Sequence, residues 1–322
     1  MEKIFMDAES RKKSSGFIFR PLFASIFIAT VFSLLLSFLS GYGIAIAGNK
    51  VLVAQSLKVG PYEEALKGFE SVQNSEIIRI FTYEMEETAV LKAIKRNHPD
   101  LILAIGMDAL KKIKMVADIP VLYVMVLNPQ SIVSNGDNVS GISMNISQEK
   151  QMGIVLDALP DLKTAGFLYN PGRTGELAGR AKRAAAEAGI NLITREVHTP
   201  REVPSSIGTM KSSIDVFWML PDITVCSPEV IEFLLLFSLE NKIPIITFSG
   251  KYLKLGALMS IGIDAFDIGL QAGEMAEDIL SNAVKVQRVD ARKAVVTINL
   301  KIARKLGIQI NENVLKRVTI ID

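Results

Sequence analysis

Cysteine and histidine are scarce in this sequence of 322 residues. The one cysteine, Cys226, cannot form an internal disulfide or a metal site with several thiolate ligands, so we interpret it as structural. The two histidines, His98 and His198, stand apart beside prolines in turn-like segments. Because ligating histidines usually occur in clusters, we expect no metal site. The motifs of serine hydrolases, of P-loop enzymes and of dinucleotide-binding enzymes are also missing, so we expect no cofactor, no catalytic residue and no enzymatic activity.

A marked excess of charge of one sign is also lacking. The formal net charge is +2, but five of the 36 basic residues and three of the 34 acidic residues precede Gly48. The remainder of the chain is therefore neutral. Nucleic-acid binding normally demands a clustered basic face, so we expect no nucleic-acid partner.

The N-terminal segment has the pattern of an export signal. Four basic residues at positions 11–20 precede an uncharged stretch, 21–49, that is rich in Phe, Leu, Ile and Ala. Small residues at 45–47 suit cleavage at that point. The apolar part, 22–39, is nearly long enough to cross a bilayer as a helix, so a retained membrane anchor is the alternative. In either case we expect the chain from about Gly48 onward to be periplasmic or otherwise extracytoplasmic.

Beyond this segment the chain alternates short β-branched apolar runs with longer amphipathic segments. The predicted strands are 50–57, 76–82, 101–106, 121–126, 164–169, 191–197, 215–220 and 244–248. The predicted helices are 61–72, 86–97, 107–117, 148–159 with Ser147 as its cap, 176–188 ended by Gly189, 203–211 and 229–241. Nearly continuous Val, Ile and Leu in the strands is typical of sheets covered by helices on both faces. The pattern predicts an α/β protein with doubly wound parallel sheets.

A loop at 128–138, rich in Asn, Ser, Pro and Gly, interrupts this alternation and indicates a change of domain. A second alternation of similar build follows it. Two such units in succession predict two lobes with a ligand cleft between them.

Five runs in the sequence resemble one family. AGFLYNP at 165–171, GALMSIGID at 256–264 and INLKIARKLG at 298–307 are similar to the ABC transporter substrate-binding family associated with tryptophan and tyrosine uptake. NVSGIS at 138–143 and GLQAG at 269–273 agree with it. The order of these motifs makes the resemblance more specific than any single one. It implies a type I periplasmic-binding fold, in which three crossing strands join the lobes.

The resemblance also implies how the chain divides and what it does. Residues 1–47 form the export signal or anchor, 48–142 with 254–285 form lobe 1, and 143–253 with 286–322 form lobe 2. The implied function is that of an extracytoplasmic receptor that closes its lobes on a small-molecule solute and delivers it to an ABC permease. We expect a monomer. The alternative is a membrane-tethered solute sensor or accessory domain that signals to a partner protein.

Candidate ligand-binding residues follow from the strand ends. Open parallel sheets bind ligands beyond the carboxyl ends of their strands, where helix N-termini present N–H groups. For a zwitterionic amino acid, Ser56, Thr174 and Ser249 suit the carboxylate, and Asp222 or Asp264 suits the ammonium group. The full set of predicted ligand-binding residues is Ser56, Tyr62, Met107, Asn128, Asn170, Thr174, Asp222, Ser249 and Asp264. Gln55 and Asp108 also lie at strand ends.

Several of these residues have a simpler structural interpretation. Asp264 precedes a helix, so its whole role could be to cap that helix. Asn170 precedes a proline, so it could equally be a turn residue. Trp218 lies within an apolar strand and is interpreted as core. The chain also departs from the family pattern, with Met107 in place of a small hydroxyl residue and Asn128 in place of an acidic one. An aromatic amino acid is therefore one option among several for the ligand.

Overall fold

The computed structural model describes residues 48–127, 129–134, 138–283 and 286–322. The predicted export segment, 1–47, and the candidate Asn128 lie outside the described residues. Gly48–Asp322 forms one compact unit. Within the described part of the chain, no helix has both the length and the apolar character that crossing a membrane requires.

Strands and helices alternate along this unit, as the sequence predicts. The strands are β1 (Lys50–Gln55), β2 (Glu76–Phe81), β3 (Leu101–Ile105), β4 (Val121–Val126), β5 (Val139–Ser143), β6 (Thr164–Tyr169), β7 (Asn191–Glu196), β8 (Val216–Trp218), β9 (Ile245–Thr247), β10 (Met259–Ile263), β11 (Arg288–Asp290), β12 (Ala294–Asn299) and β13 (Thr319–Ile321). The helices are α1 (Gly60–Glu70), α2 (Glu87–Asn97), α3 (Met107–Ile113), α4 (Gln148–Ala158), α5 (Pro171–Glu187), α6 (Val203–Gly208), α7 (Pro228–Asn241), α8 (Ala265–Leu280), α9 (Leu300–Leu306) and α10 (Glu312–Leu315). Short 3-10 turns occur at Pro129–Ser131, Pro200–Glu202 and Gly250–Tyr252.

The first sheet has the strand order β11-β5-β4-β3-β1-β2, and all of its strand pairs are parallel. Every residue of β3 and β4 is buried. Their side chains enter apolar clusters on both faces of the sheet. The continuous apolar runs therefore fill a sheet that is covered on both sides, as predicted.

The second sheet has the order β13-β12-β10-β9-β8-β6-β7 and is parallel except for the pair β10–β12. Trp218 on β8 is buried in its core with 3% of its surface exposed, as predicted. Two doubly wound, mainly parallel sheets confirm the predicted fold class.

Side-chain caps fix where helices α4 and α5 begin. Ser147 accepts a hydrogen bond from the backbone N–H of Lys150 and caps α4, as predicted. The next helix begins at Pro171, earlier than the predicted 176. Asn170 supplies the reason, since its side-chain oxygen accepts from the N–H of Gly172 at 3.0 Å.

Helix α8 returns to the first sheet and packs against α1 at very short range. A Cβ atom added to Gly68 would lie 2.0 Å from the carbonyl oxygen of Phe266, and one added to Gly269 would lie 1.9 Å from that of Ala65. Gln73 also donates to the carbonyl oxygen of Gly273 at 2.7 Å. Glycine is required at this helix contact because the two backbones touch.

The chain passes between the sheets at three places, after β5, after β10 and after β11. The predicted lobe boundaries differ from this course in two respects. β10 was expected in lobe 1 but pairs with β9 and β12, because the short connection 248–258 leads to the neighbouring position in the same sheet. β11 was expected in lobe 2 but pairs with β5 in the first sheet.

The three crossing segments are tied to one another. The backbone N–H of Ala291 donates to the carbonyl oxygen of Asn145 at 2.9 Å, which joins the first and third segments. Asp264, at the second crossing, pairs with Lys293 in the third at 2.7 Å. A hydrogen bond and an ion pair therefore link all three crossing segments to one another.

Candidate functional site

Residues that follow strands of both sheets border one pocket. Leu127 follows β4 and Asn145 follows β5 in the first sheet, while Pro221 and the first turns of α5 follow β8 and β6 in the second. We call this the cleft pocket, and the described residues that line it are Leu127, Gln130, Asn145, Arg173, Thr174, Glu176, Leu177, Arg180 and Pro221. Its empty volume is about 480 Å³, open solvent included. Ligands of open parallel sheets bind at this kind of position, beyond the carboxyl ends of the strands.

Asp222, predicted to bind an ammonium group, is turned into the protein. Its exposed fraction is 0%. The carboxylate accepts hydrogen bonds from the backbone N–H groups of Asn170 at 2.6 Å and Thr224 at 2.8 Å, and from the hydroxyl of Thr174. A buried carboxylate needs such donors, and the surrounding chain supplies them. Asp222 therefore fastens the start of α5 to the end of β8.

Asn170 and Thr174 belong to the same network. The amide group of Asn170 donates to the Thr224 hydroxyl at 3.1 Å and to the carbonyl oxygen of His198 at 3.3 Å. Together with its role as the cap of α5, this supports the structural interpretation of Asn170. Thr174 lines the cleft pocket, but it interrupts α5 with φ −129° and ψ 18°, and its hydroxyl is donated to Asp222.

The structure brings Ser56, Tyr62 and Met107 together at the carboxyl edge of the first sheet, around Gly106. Ser56 is buried and accepts a hydrogen bond from the backbone N–H of Ala109 at 3.0 Å. Gly106 has φ +93°, and a Cβ there would lie 2.7 Å from Ser56 Oγ and 2.8 Å from Tyr62 Oη. Burial raises the pKa of the Tyr62 phenol above its ordinary value. The half-buried Met107 packs against the apolar core beside this group.

Among the predicted residues that the structure describes, Thr174 alone lines the cleft pocket, and the remaining two lie outside it as well. Ser249 is half-buried at the start of a 3-10 turn, where its carbonyl oxygen accepts from the N–H of Tyr252 at 3.2 Å. Asp264 caps α8 through the N–H of Asp267 at 3.1 Å. The hydrogen bond from Lys293 lowers the pKa of the Asp264 carboxyl, and the N–H of Asp267 adds to this effect. The capping interpretation of Asp264 therefore accounts for its contacts.

Gln55 and Asp108, the other two strand-end residues, have partners on α1 and α3 and in or just after β2. Gln55 donates to Glu63 at 2.9 Å and accepts from Arg79 at 2.7 Å. Asp108 accepts from the Thr82 hydroxyl at 2.7 Å and from Lys112. These bonds hold the strand ends and the helix starts in place.

Most of the residues that line the cleft pocket were missed from the sequence. Leu177 and Arg180 are three residues apart in α5, so they share one face of the helix, whereas Arg173 precedes the interruption at Thr174. The spacing could have paired Leu177 with Arg180, but it carries no signal for Arg173. Asn145 was missed because β5, which places it, was not recognised as a strand.

Both histidines, which the sequence places in turn-like segments, are exposed. Within the described ranges, no three His, Cys, Asp or Glu side chains are grouped so that they could hold a metal ion. Burial raises the pKa of the Cys226 thiol to about 12. The thiol therefore stays protonated at neutral pH and is a poor nucleophile.

Comparison with known proteins gives a match over most of the chain. The model of the family described as ABC transporter substrate binding protein matches residues 58–320. A tyrosine-binding protein from Clostridioides difficile is 29% identical over 230 residues, which are 67% of this chain and 62% of that protein. The match thus spans less than two thirds of the length of that relative.

Two solved structures share the fold. A ligand-free, open substrate-binding protein with adhesive properties from Clostridium difficile aligns with a TM-score of 0.68 at 24% identity, over 85% of this chain and 99% of that one. An ABC domain in complex with L-Trp from Streptococcus pneumonia aligns with a TM-score of 0.56 at 24% identity, over 85% of this chain and 100% of that one.

Proposed function

Since the chain belongs to the ABC transporter substrate-binding protein family, whose members bind substrates and are not enzymes, we propose that it is the extracytoplasmic solute receptor of an ABC importer. The observation that carries the proposal is the cleft pocket, which residues following strands of both sheets line together. A solute bound there would contact both sheets at once. It would therefore favour an arrangement in which they close on it.

The crossing segments suit such a closure. Three short segments connect the sheets, and hydrogen bonds and an ion pair tie them into one layer. Hinges of closing domains are built from a few residues at the ends of elements, which absorb the change in backbone angles. We place the hinge at 144–147, at 264 and at 291–293, and we take the two lobes to be the sheets with their helices.

We propose an amino acid as the solute. Two similar proteins point to this class, since one is a tyrosine-binding protein and the other was solved in complex with L-Trp. The cleft pocket combines charged and amide side chains with the apolar Leu127 and Leu177, which suits a zwitterion with a carbon side chain. Ser56, Tyr62 and Met107 would form the facing wall after closure, and Asn128 remains a candidate beside Leu127.

Export and the permease complete the proposal. The basic and then apolar segment at 1–47 has the pattern of an export signal or anchor, and an ABC permease in the membrane would receive the solute from the closed form. We expect a monomer that binds no nucleic acid. If the apolar segment is retained as an anchor, a tethered solute sensor is the alternative.

The proposal is tested by a thermal-shift screen of the full-length chain in detergent solution against amino acids, peptides, purines, sugars and oxyanions. A ligand that binds only the folded state raises the melting temperature in proportion to the logarithm of its concentration, once in excess. We expect this behaviour for at least one amino acid, with a 1:1 stoichiometry by calorimetry. Folded protein free of co-purified ligand that responds to none of these compounds would contradict the receptor function.

A further inference from the structure

Arg180 has an unusual position, because its side chain lies at the cleft pocket and at the connection between the sheets. It extends from α5, on the second sheet, and lines the cleft pocket. Its Nε donates to Gln148 at 2.8 Å, at the start of α4. Its Nη2 donates to Asp290 on β11 of the first sheet. About a quarter of the side chain, 24%, is exposed.

The guanidinium group has hydrogen-bond donors to spare. It carries five N–H donors in a fixed plane, and the two bonds above use one on Nε and one on Nη2. No described residue accepts a hydrogen bond from Nη1. The bonded edge of the group therefore faces the connection between the sheets. The remaining donors are available to an anion in the cleft pocket.

The acceptor of this pair continues into the crossing segments. Asp290 accepts a second hydrogen bond from the hydroxyl of Ser143 at 2.7 Å, and Ser143 Oγ accepts from the N–H of Asn145 at 3.1 Å. Asn145 in turn is bonded to Ala291 and lines the cleft pocket. Arg180 is thus joined to both the first and the third crossing segments.

We propose that Arg180 binds the carboxylate of the solute and is the main reason that the protein prefers a solute with a carboxylate. The inference rests on the proposed function and deepens it. Gln148 and Asp290 hold the plane of the guanidinium, so little side-chain entropy is lost when a carboxylate binds to its free donors in a bidentate manner. The hydroxyl groups predicted for this task are less suitable, since the Thr174 hydroxyl is donated to Asp222, and Ser56 and Ser249 do not line the cleft pocket.

The experiment compares amino acids with the amines that lack only their carboxylate. Calorimetry on the full-length chain measures the Kd of L-tyrosine and tyramine, and of L-tryptophan and tryptamine as a second pair. We expect Arg180→Gln to weaken binding of the amino acid about 10- to 100-fold, the effect of losing charge-assisted hydrogen bonds. The amine should lose less than about threefold, since it has no group for Arg180 to bind.

Two further variants separate this role from a structural one. Arg183→Gln removes an exposed arginine from the same helix and should leave both affinities as in the wild type. Asp290→Asn breaks the ion pair but keeps the guanidinium, so most of the preference for the amino acid over the amine should remain. Circular dichroism and urea unfolding establish that each variant is folded.

The outcomes distinguish the two proposals. If the wild type binds L-tyrosine or L-tryptophan and Arg180→Gln retains the preference for the amino acid, the assignment of Arg180 is wrong and the receptor function stands. If Asp290→Asn abolishes the preference as fully as Arg180→Gln does, the arginine acts only through the hinge and the assignment also fails. A wild type that binds no amino acid contradicts the solute class, and this inference falls with it.

Discussion

Replacement of Asp222 by asparagine should destabilise the protein. It should not weaken ligand binding, because Asp222 is not the residue that binds the ligand's ammonium group. The two carboxylate oxygens accept from Asn170, Thr174 and Thr224 in a site with no exposed surface. An asparagine amide has one acceptor oxygen, so in either orientation of the amide one buried backbone N–H faces an NH₂ group. The orphaned donor costs about 1–3 kcal/mol, and the loss of hydrogen bonds to a charged acceptor adds about 1.5–3 kcal/mol. We expect the free energy of unfolding to fall by about 3–5 kcal/mol.

The assay is urea unfolding followed by circular dichroism, with Asp215→Asn as the matched control. Asp215 also accepts two backbone N–H groups, those of Lys163 at 3.1 Å and Thr164 at 2.8 Å, but it is exposed. Water can replace the lost bonds there, so we expect a change below about 1 kcal/mol. Ligand binding is then measured under conditions where the Asp222 variant is folded. A variant of unchanged stability that has lost its affinity for amino acids would refute the scaffold role and restore Asp222 as a ligand group.

Three further predictions concern other parts of the unit. Gly106→Ala forces an alanine into φ +93° and places its Cβ against the Tyr62 ring. The free energy of unfolding, measured in urea, should therefore fall by about 1–3 kcal/mol. An unchanged unfolding midpoint would contradict this contact. The pKa of Asp264 is lower in the folded protein than its ordinary value of 3.8. Its ion pair therefore stabilises the fold fully at pH values above 3.8, and this stabilisation is lost as the pH falls through the lowered pKa. Asp264→Asn should therefore be less stable at pH 7 and lose less stability than the wild type during acid titration, and parallel curves would contradict this. Gln151→Leu removes the acceptor that lies 3.0 Å from the indole N–H of Trp218, the one tryptophan of the chain. The fluorescence emission of Trp218 should shift to shorter wavelength, and the free energy of unfolding should fall by about 1–3 kcal/mol. An unshifted spectrum would contradict the hydrogen bond.

Polar residues at strand ends show where prediction from the sequence reached its limit. The carboxyl end of a strand is a local property, and Asp222, Asn170 and Ser56 were correctly placed at such ends. The direction in which each side chain points depends on donors far away in the sequence. Asp222 turns inward because Asn170 and Thr174, about fifty residues earlier, present their donors to it. No local pattern carries that information.

The sequence by itself determined the fold class and the family of this protein. Alternation of apolar strands and amphipathic helices requires covered parallel sheets, and ordered motifs such as the one at 165–171 identify the family. Tertiary structure alone decided the sheet that β10 joins and the side chains that meet in the cleft pocket. Arg180 lies eleven residues beyond β6, and only the course of α5 and its bond to Asp290 bring it there. The physical reason is that burial and strand formation follow from nearby residues, whereas a binding site is made by side chains whose positions are fixed by distant partners.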